Sequence, residues 1–349
     1  MTSIFYNYKY TKGIISRVPF VAEKNTRLRI ENKQIITYSV LIASIILLSL
    51  VSLFTGVKEI SLADIFSMDE DQLLVFTISR FPRTAALILT GAGLSIAGFI
   101  MQQLTQNKFV SPTTAGSLEA AKMGILFSLM FIPSVSTGMK MGFAILFTFA
   151  ASLLFMLMVR RIRFRSTVFV PLIGIMFGGI LNSISTFFAY KNNFLQNVQG
   201  WLMGDFSSVL QGQYETIYFI LPAVMLSYVY ADRFTIAGLG ESFAKNLGLS
   251  YLSIVNIGLF TVSLTVSVSI VTVGAIPFLG LIIPNIVSIL FGDNLRRTLP
   301  YTAWAGAAFL LLCDSLGRLI IYPFEIPIGL MVGIIGGGLF FLLILKRNK

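Results

Sequence analysis

Ten apolar segments, each close to 20 residues long, recur along this chain, and no other feature constrains its fold as tightly. They occupy residues 35–54, 84–104, 113–131, 141–159, 167–190, 217–230, 252–273, 276–291, 301–321 and 326–345. At 1.5 Å rise per residue, a 20-residue helix covers the roughly 30 Å hydrocarbon layer of a bilayer. The sixth and eighth segments are shorter and need flanking residues or broken geometry to cross. Gly274, Pro277, Gly280 and Pro284 fit a broken helix. Irregular backbone of that kind is tolerated at membrane depth only where protein buries it or water reaches it. Composition agrees: 56% of the 349 residues are hydrophobic and 12% charged, with mean hydropathy +0.84. A soluble domain, with roughly a quarter of its residues charged, could not hide so much apolar surface. The expectation is an all-α polytopic membrane protein with ten transmembrane helices, formed by residues 35–349, behind a basic, tyrosine-rich cytoplasmic tail at 1–34.

The formal charge of +11 does not form the single stripe of a nucleic-acid binder; it is dispersed through short loops. With ten spans both termini lie on one side. Nineteen Lys and Arg, seven of them in the tail, then share that side, and Lys58, Arg80, Arg83, Lys140 and Lys191 fall on the other. The positive-inside rule places both termini in the cytoplasm. Lys122 and Arg318 fall within helices. Cys313 is the only cysteine and histidine is absent, so a disulfide framework is excluded and the commonest general base is missing. The spans carry almost no carboxylates beyond Glu119 and Asp314, which leaves an ion-gradient-driven secondary transporter or a membrane-embedded enzyme with few groups to work through.

Between the sixth and seventh segments, residues 237–250 alternate glycines with a short amphipathic stretch that reads as two small helices joined by a turn. Phe243 and Leu247 share one face at i, i+4. That face suits either a partner's groove or the membrane surface.

The stretch from Leu239 to Gly248 resembles the cytoplasmic coupling loop of the type II ATP-binding-cassette importer permeases for iron-siderophores, heme and cobalamin. Six further motifs follow that family's order: Arg80-Phe-Pro-Arg83, Gln106-Asn-Lys-Phe-Val-Ser-Pro112, Trp201-Leu-Met-Gly204, Gly280-Leu-Ile-Ile-Pro284, Asp314-Ser-Leu-Gly-Arg318 and Glu325-Ile-Pro-Ile-Gly329. The resemblance covers residue 35 to the C-terminus. It implies a ten-helix permease subunit that pairs with a second permease, with two ATPase subunits below and an extracellular or periplasmic substrate-binding lipoprotein above. The phosphate-loop pattern Gly-x-x-x-x-Gly-Lys-Ser/Thr is absent. No cofactor is expected on this chain, and ATP belongs to the partner.

Site residues follow from the same resemblance. Gly238, Leu239, Gly240, Glu241, Phe243, Lys245, Leu247 and Gly248 would form the loop that meets the ATPase. Lys245 stands where the family often has Arg, whose planar fork it lacks. Arg80, Arg83 and Arg318 match arginines that receive acidic residues of the binding protein. A snorkelling role for Arg80 and Arg83, and pairing with Asp314 for Arg318, are the alternatives. Asn107, Phe109 and Thr167 would lie at an inner gate. Lys108 and Phe109 replace the usual Pro and Leu, and Asn285 stands where His is frequent. Glu119 and Lys122, three residues apart in the third span, could contact a charged ferric-siderophore or neutralise one another. Recurrent glycines such as Gly91, Gly93, Gly98, Gly174, Gly178 and Gly336 are expected to let helices approach closely.

Overall fold

The computed structural model describes residues 20–56, 58, 69–132, 134–161, 168–201 and 203–347, with side chains described from 37 to 342 and at 345 within those ranges. Among them every regular element is helical: α1 Phe20–Phe54, α2 Glu70–Val75, α3 Phe81–Leu104, α4 Ser117–Phe131, α5 Thr137–Arg161, α6 Phe169–Lys191, α7 Leu195–Trp201, α8 Ile220–Val229, α9 Ala231–Ala237, α10 Glu241–Asn246, α11 Tyr251–Val273, α12 Leu279–Phe291, α13 Leu295–Ile320 and α14 Ile328–Arg347. Each of the ten apolar segments carries a helix. Six are long and apolar enough to cross a bilayer unaided. The sixth segment is the bent pair, Glu215–Val229 followed by Ala231–Ala237 at 64°. The others are α4 and the shorter apolar helices at Leu279–Phe291 and Ile328–Leu342. Helix α1 starts at Phe20, well inside the stretch read as a tail, and the chain divides into two compact units at Met1–Ile46 and Leu47–Lys349.

Burial sorts the helices within the second unit. In the apolar windows of α2–α3, α11 and α13, 78%, 72% and 56% of residues are buried, against 28% for α6. Helices α3, α11, α12 and α13 therefore form the centre, and small residues let them meet. A Cβ at Gly91 would stand 2.5 Å from Gly306 O of α13, and a Cβ at Gly98 would fall inside the van der Waals shell of Gly280 O in α12. The two backbones touch there with no side chain between them, as is common where lipid supplies no hydrophobic drive.

Prolines break helices where the fold needs a bend. Pro82 has no N–H to give Ile78 O, four residues back. The chain widens there into a π turn, Phe76–Arg80, and Gln211 N donates to the freed Ile78 carbonyl at 2.9 Å. The break expected near Gly274 is real. Helix α11 stops at Val273, Gly274 turns with φ +81°, and α12 begins only at Leu279. Pro284 then sits inside α12, so Gly280 O lacks its helical donor and is the carbonyl that faces Gly98.

We expect Gly98→Ala to cost about 1–3 kcal/mol through overpacking at the α3–α12 contact. Gly142→Ala, built into open space, should be neutral. Thermal unfolding of the detergent-solubilised protein measures both, with a lower midpoint for the first alone.

Candidate functional sites at the two helix ends

Helix α3, 24 residues and roughly 36 Å long, separates two polar sites. At its N-terminal end three arginines and two carboxylates interlock. Arg83 gives Nη2 and Nε to Asp314 Oδ1, at 2.7 and 3.1 Å, and Nη1 to Glu325 Oε2 at 2.7 Å. Arg318 pairs one turn back with Asp314 at 2.6 Å, and donates to Thr55 O at 2.6 Å, Ser52 O at 3.1 Å and Ser52 Oγ at 3.0 Å. Arg80 donates to Leu53 O at 2.8 Å and also to Lys58 O. The last carbonyls of α1 have no intrahelical partner, and these two guanidiniums cap them. Arg80 and Arg318 are each only 6% exposed.

Each of the three guanidiniums bonds inside the chain, with Arg318 Nε left buried and without a hydrogen-bond partner. The Asp314 alternative holds for Arg318, and Asp314 holds Arg83 as well. What stays open beside them is a cleft of about 360 Å³ lined by Phe54, Thr55, Arg318, Tyr322 and Glu325.

The opposite end collects the loop residues. Of the two small helices expected within 237–250 only α10 lies there; α9 precedes the stretch, ending at Ala237, and Gly238–Gly240 joins the two. Gly240 enters α10 at φ +114° and Gly248 leaves it at φ +73°, conformations in which a side chain would be strained. Leu249 N bonds back to Ala244 O at 3.0 Å and closes the helix. Glu241 pairs with Arg160 at the end of α5 at 2.6 Å and with Lys245 at 2.8 Å. The Lys245 bond, reinforced by the Arg160 charge, holds the Glu241 carboxyl below the ordinary carboxylate range. Leu239, Phe243 and Leu247 remain 63%, 47% and 55% exposed.

Beside this loop lies the 105–109 turn. Asn107 is 5% exposed and its Oδ1 accepts from Phe109 N at 2.9 Å, so it shapes the turn. Phe109 packs edge-on against Phe340 of α14, with ring centres 6.2 Å apart. Thr167 lies outside the described residues. Sequence reasoning did not find Asp293, which holds the Lys108 ammonium and accepts from Ser288. Desolvation would raise the Asp293 carboxyl, but the hydrogen bonds from Lys108 and Ser288 outweigh it and hold the group low. No spacing in the sequence links residues 185 apart, so only the fold could show this contact.

Glu119 and Lys122 do not pair as their spacing allowed. Lys122, 2% exposed, donates to Asn182 of α6, while Glu119 Oε2 is buried against Gly178 with no hydrogen-bond partner.

Comparison with known proteins agrees with the geometry. The FecCD transport family matches residues 43–347. The petrobactin import system permease protein YclN of Bacillus subtilis is 52% identical over 304 residues, 87% of this chain and 96% of that one. The ferric-anguibactin transport system permease protein FatD of Vibrio anguillarum is 48% identical over 298 residues, 85% and 95% of the two chains. A solved structure described as an inward-facing metal-chelate type ABC transporter superposes with TM-score 0.75 at 26% identity, covering 88% of this chain and 97% of that one.

Removing one partner of a buried ion cluster leaves the others uncompensated, at a cost of about 3–5 kcal/mol. Asp314→Asn, which leaves Arg318 without its carboxylate and Arg83 with Glu325 alone, should therefore sharply lower the yield and melting temperature of the solubilised protein. Glu241→Gln, at an exposed pair, should leave both nearly unchanged.

Proposed function

The chain belongs to the FecCD transport family, and on that premise we propose that it is the permease subunit of an ATP-binding-cassette importer for ferric siderophores. It is a multi-pass inner-membrane protein and not an enzyme; hydrolysis belongs to a partner ATPase. Identity of 52% and 48% to permeases named for petrobactin and ferric-anguibactin supports a ferric-siderophore cargo over vitamin B12, since the cobalamin permease BtuC of Shigella boydii is 31% identical. The family assignment also favours ATP over an ion gradient as the energy source.

One observation carries the coupling assignment: a short helix, α10, closed at its C-terminal end, that leaves Leu239, Phe243 and Leu247 uncovered beside a paired Glu241. Such a surface suits insertion into a groove of the ATPase, apolar anchors at the centre and charge at the rim. With α10 on the cytoplasmic side, both termini are cytoplasmic and the arginine cluster is extracellular. The binding protein then meets the rim around the cleft beside Arg318. Three cations against two carboxylates leave that rim positive, and an acidic partner would be drawn to it. Arg80, Arg83 and Arg318 serve docking by holding this rim in shape. Asn107 and Phe109 form the inner gate with Thr167, and a second permease completes the corridor. Glu119, beneath the exposed Asn182 face of α6, is the pathway residue of its pair. Lys122 positions Asn182.

In iron-starved cells lacking this gene, the intact chain supplied with its ATPase and binding protein should restore uptake of a ferric siderophore. The chain alone should not. Phe243→Asp should insert normally yet bind the ATPase at least tenfold more weakly in co-purification. Undiminished binding would remove α10 as the docking element.

A further inference from the structure

Lys108 and Asn285, two of the departures from the family pattern noted in the sequence, are 177 residues apart and touch. Asn285 Nδ2 donates to Lys108 O at 2.8 Å while also bonding Leu281 O of its own helix at 2.7 Å. Lys108 Nζ donates to Ser288 Oγ at 2.8 Å and pairs with Asp293, the acceptor of the Ser288 hydroxyl. Both the backbone and the side chain of Lys108 are thus fastened to α12 and to the loop that follows it.

The last turn of α3 is engaged on its other side by the α9–α10 turn. Gly238 lies so close to Gln103 that a Cβ there would overlap Gln103 Oε1, and Gly240 stands beside Gln106 Nε2. The third side is closed by Leu295 N donating to Thr235 Oγ1 at 3.0 Å and by the Arg296–Asp232 pair at 2.8 Å. Three elements surround a cleft of about 310 Å³ lined by Gln103, Asn107, Lys108, Gly238 and Asp293. The end of α3 with its 105–109 turn touches both others.

We propose that Lys108, Asn285 and Asp293 are positioning residues for transport: they tie the 105–109 turn to α12, so that a displacement of the α9–α10 turn is delivered to the turn instead of being absorbed. The tie is poorly placed to act as a stabiliser. The Lys108 and Asp293 side chains are 30% and 57% exposed, and pairs this open add little to stability. Their geometry is nonetheless specific, with one carboxylate, one hydroxyl and one amide converging on a single residue of the turn. Loss of the tie leaves the ATPase docked and working while the turn no longer follows it.

The inference rests on the importer reading, and the test separates the two. The complete transporter, with permease, ATPase and binding protein, is reconstituted in liposomes, and ferric-siderophore uptake and ATP hydrolysis are measured together. Absence of uptake by the parent protein would fail the importer reading itself. With the parent active, Lys108→Gln and Asp293→Asn should lower uptake about tenfold and leave hydrolysis within about twofold, so that cargo moved per ATP falls. Lys108→Arg, and the exchange Lys108→Asp with Asp293→Lys, should recover most of it. Asn285→Leu, which keeps both charges and removes the amide's bonds to Lys108 O and to Leu281 O of its own helix, should show the same split should the exchange fail to assemble. Uptake and hydrolysis falling in proportion, unchanged cargo per ATP in the Asn285 variant, or an assembled exchange as poor as the single changes would each overturn the proposal.

Discussion

A backbone that crosses hydrocarbon must satisfy its own N–H and C=O groups, and the rest of this structure is arranged around the places where it cannot. The α11–α12 break frees several groups at once. Asp205 N donates to Val273 O at 2.9 Å, Ala275 N to Trp201 O at 3.2 Å, and Gly329 N to Gly204 O at 3.1 Å. The segments around residues 201–205, 273–275 and 329 thus lend each other the bonds that a helix would have made internally. The Trp201-Leu-Met-Gly204 and Glu325-Ile-Pro-Ile-Gly329 motifs belong to this exchange. The arginine cluster answers the same demand at the end of α1, where side chains replace the missing backbone donors.

That demand explains why a chain with so few charges buries some of them. A guanidinium offers five donors in a fixed fork, enough to cap carbonyls and hold a carboxylate together. Asp314 in turn keeps Arg83 and Arg318 from facing each other unpaired. The cluster ties α1, α3, α13 and the 321–327 segment at one point, and whatever rests on that rim rests on a surface fixed from beneath.

Legibility in the sequence followed the range of the interaction concerned. Helix content and the broken eighth segment were readable because hydrophobic length and Pro/Gly placement act locally. The small helix α10 within 237–250 was readable for the same reason, from Gly240 and Gly248. The state of the arginines was not. Arg318 with Asp314 is an i, i+4 pair and could be foreseen, but Arg83 with Asp314 spans 231 residues and Arg80 with Leu53 O involves no side-chain partner. Lys122 shows the opposite error. Helical spacing offered Glu119, and a neighbouring helix offered Asn182 at closer reach.

The distribution of close packing bears on how such a chain can move. Where α3 meets α12 and α13 at Gly98 and Gly91, backbone lies against backbone, and a slide of one helix along another would drive a carbonyl into a Cα. These helices therefore move as a body or not at all. Freedom is left to the ends, where contacts are polar and exchangeable, and to α6, whose surface is largely uncovered. A push at Gly238 reaches Gln103 at the terminus of the most deeply buried helix, so it cannot be spent in bending α3 within the core. It acts on the 105–109 turn, and the Lys108 contacts stand between that turn and the rigid block of α12.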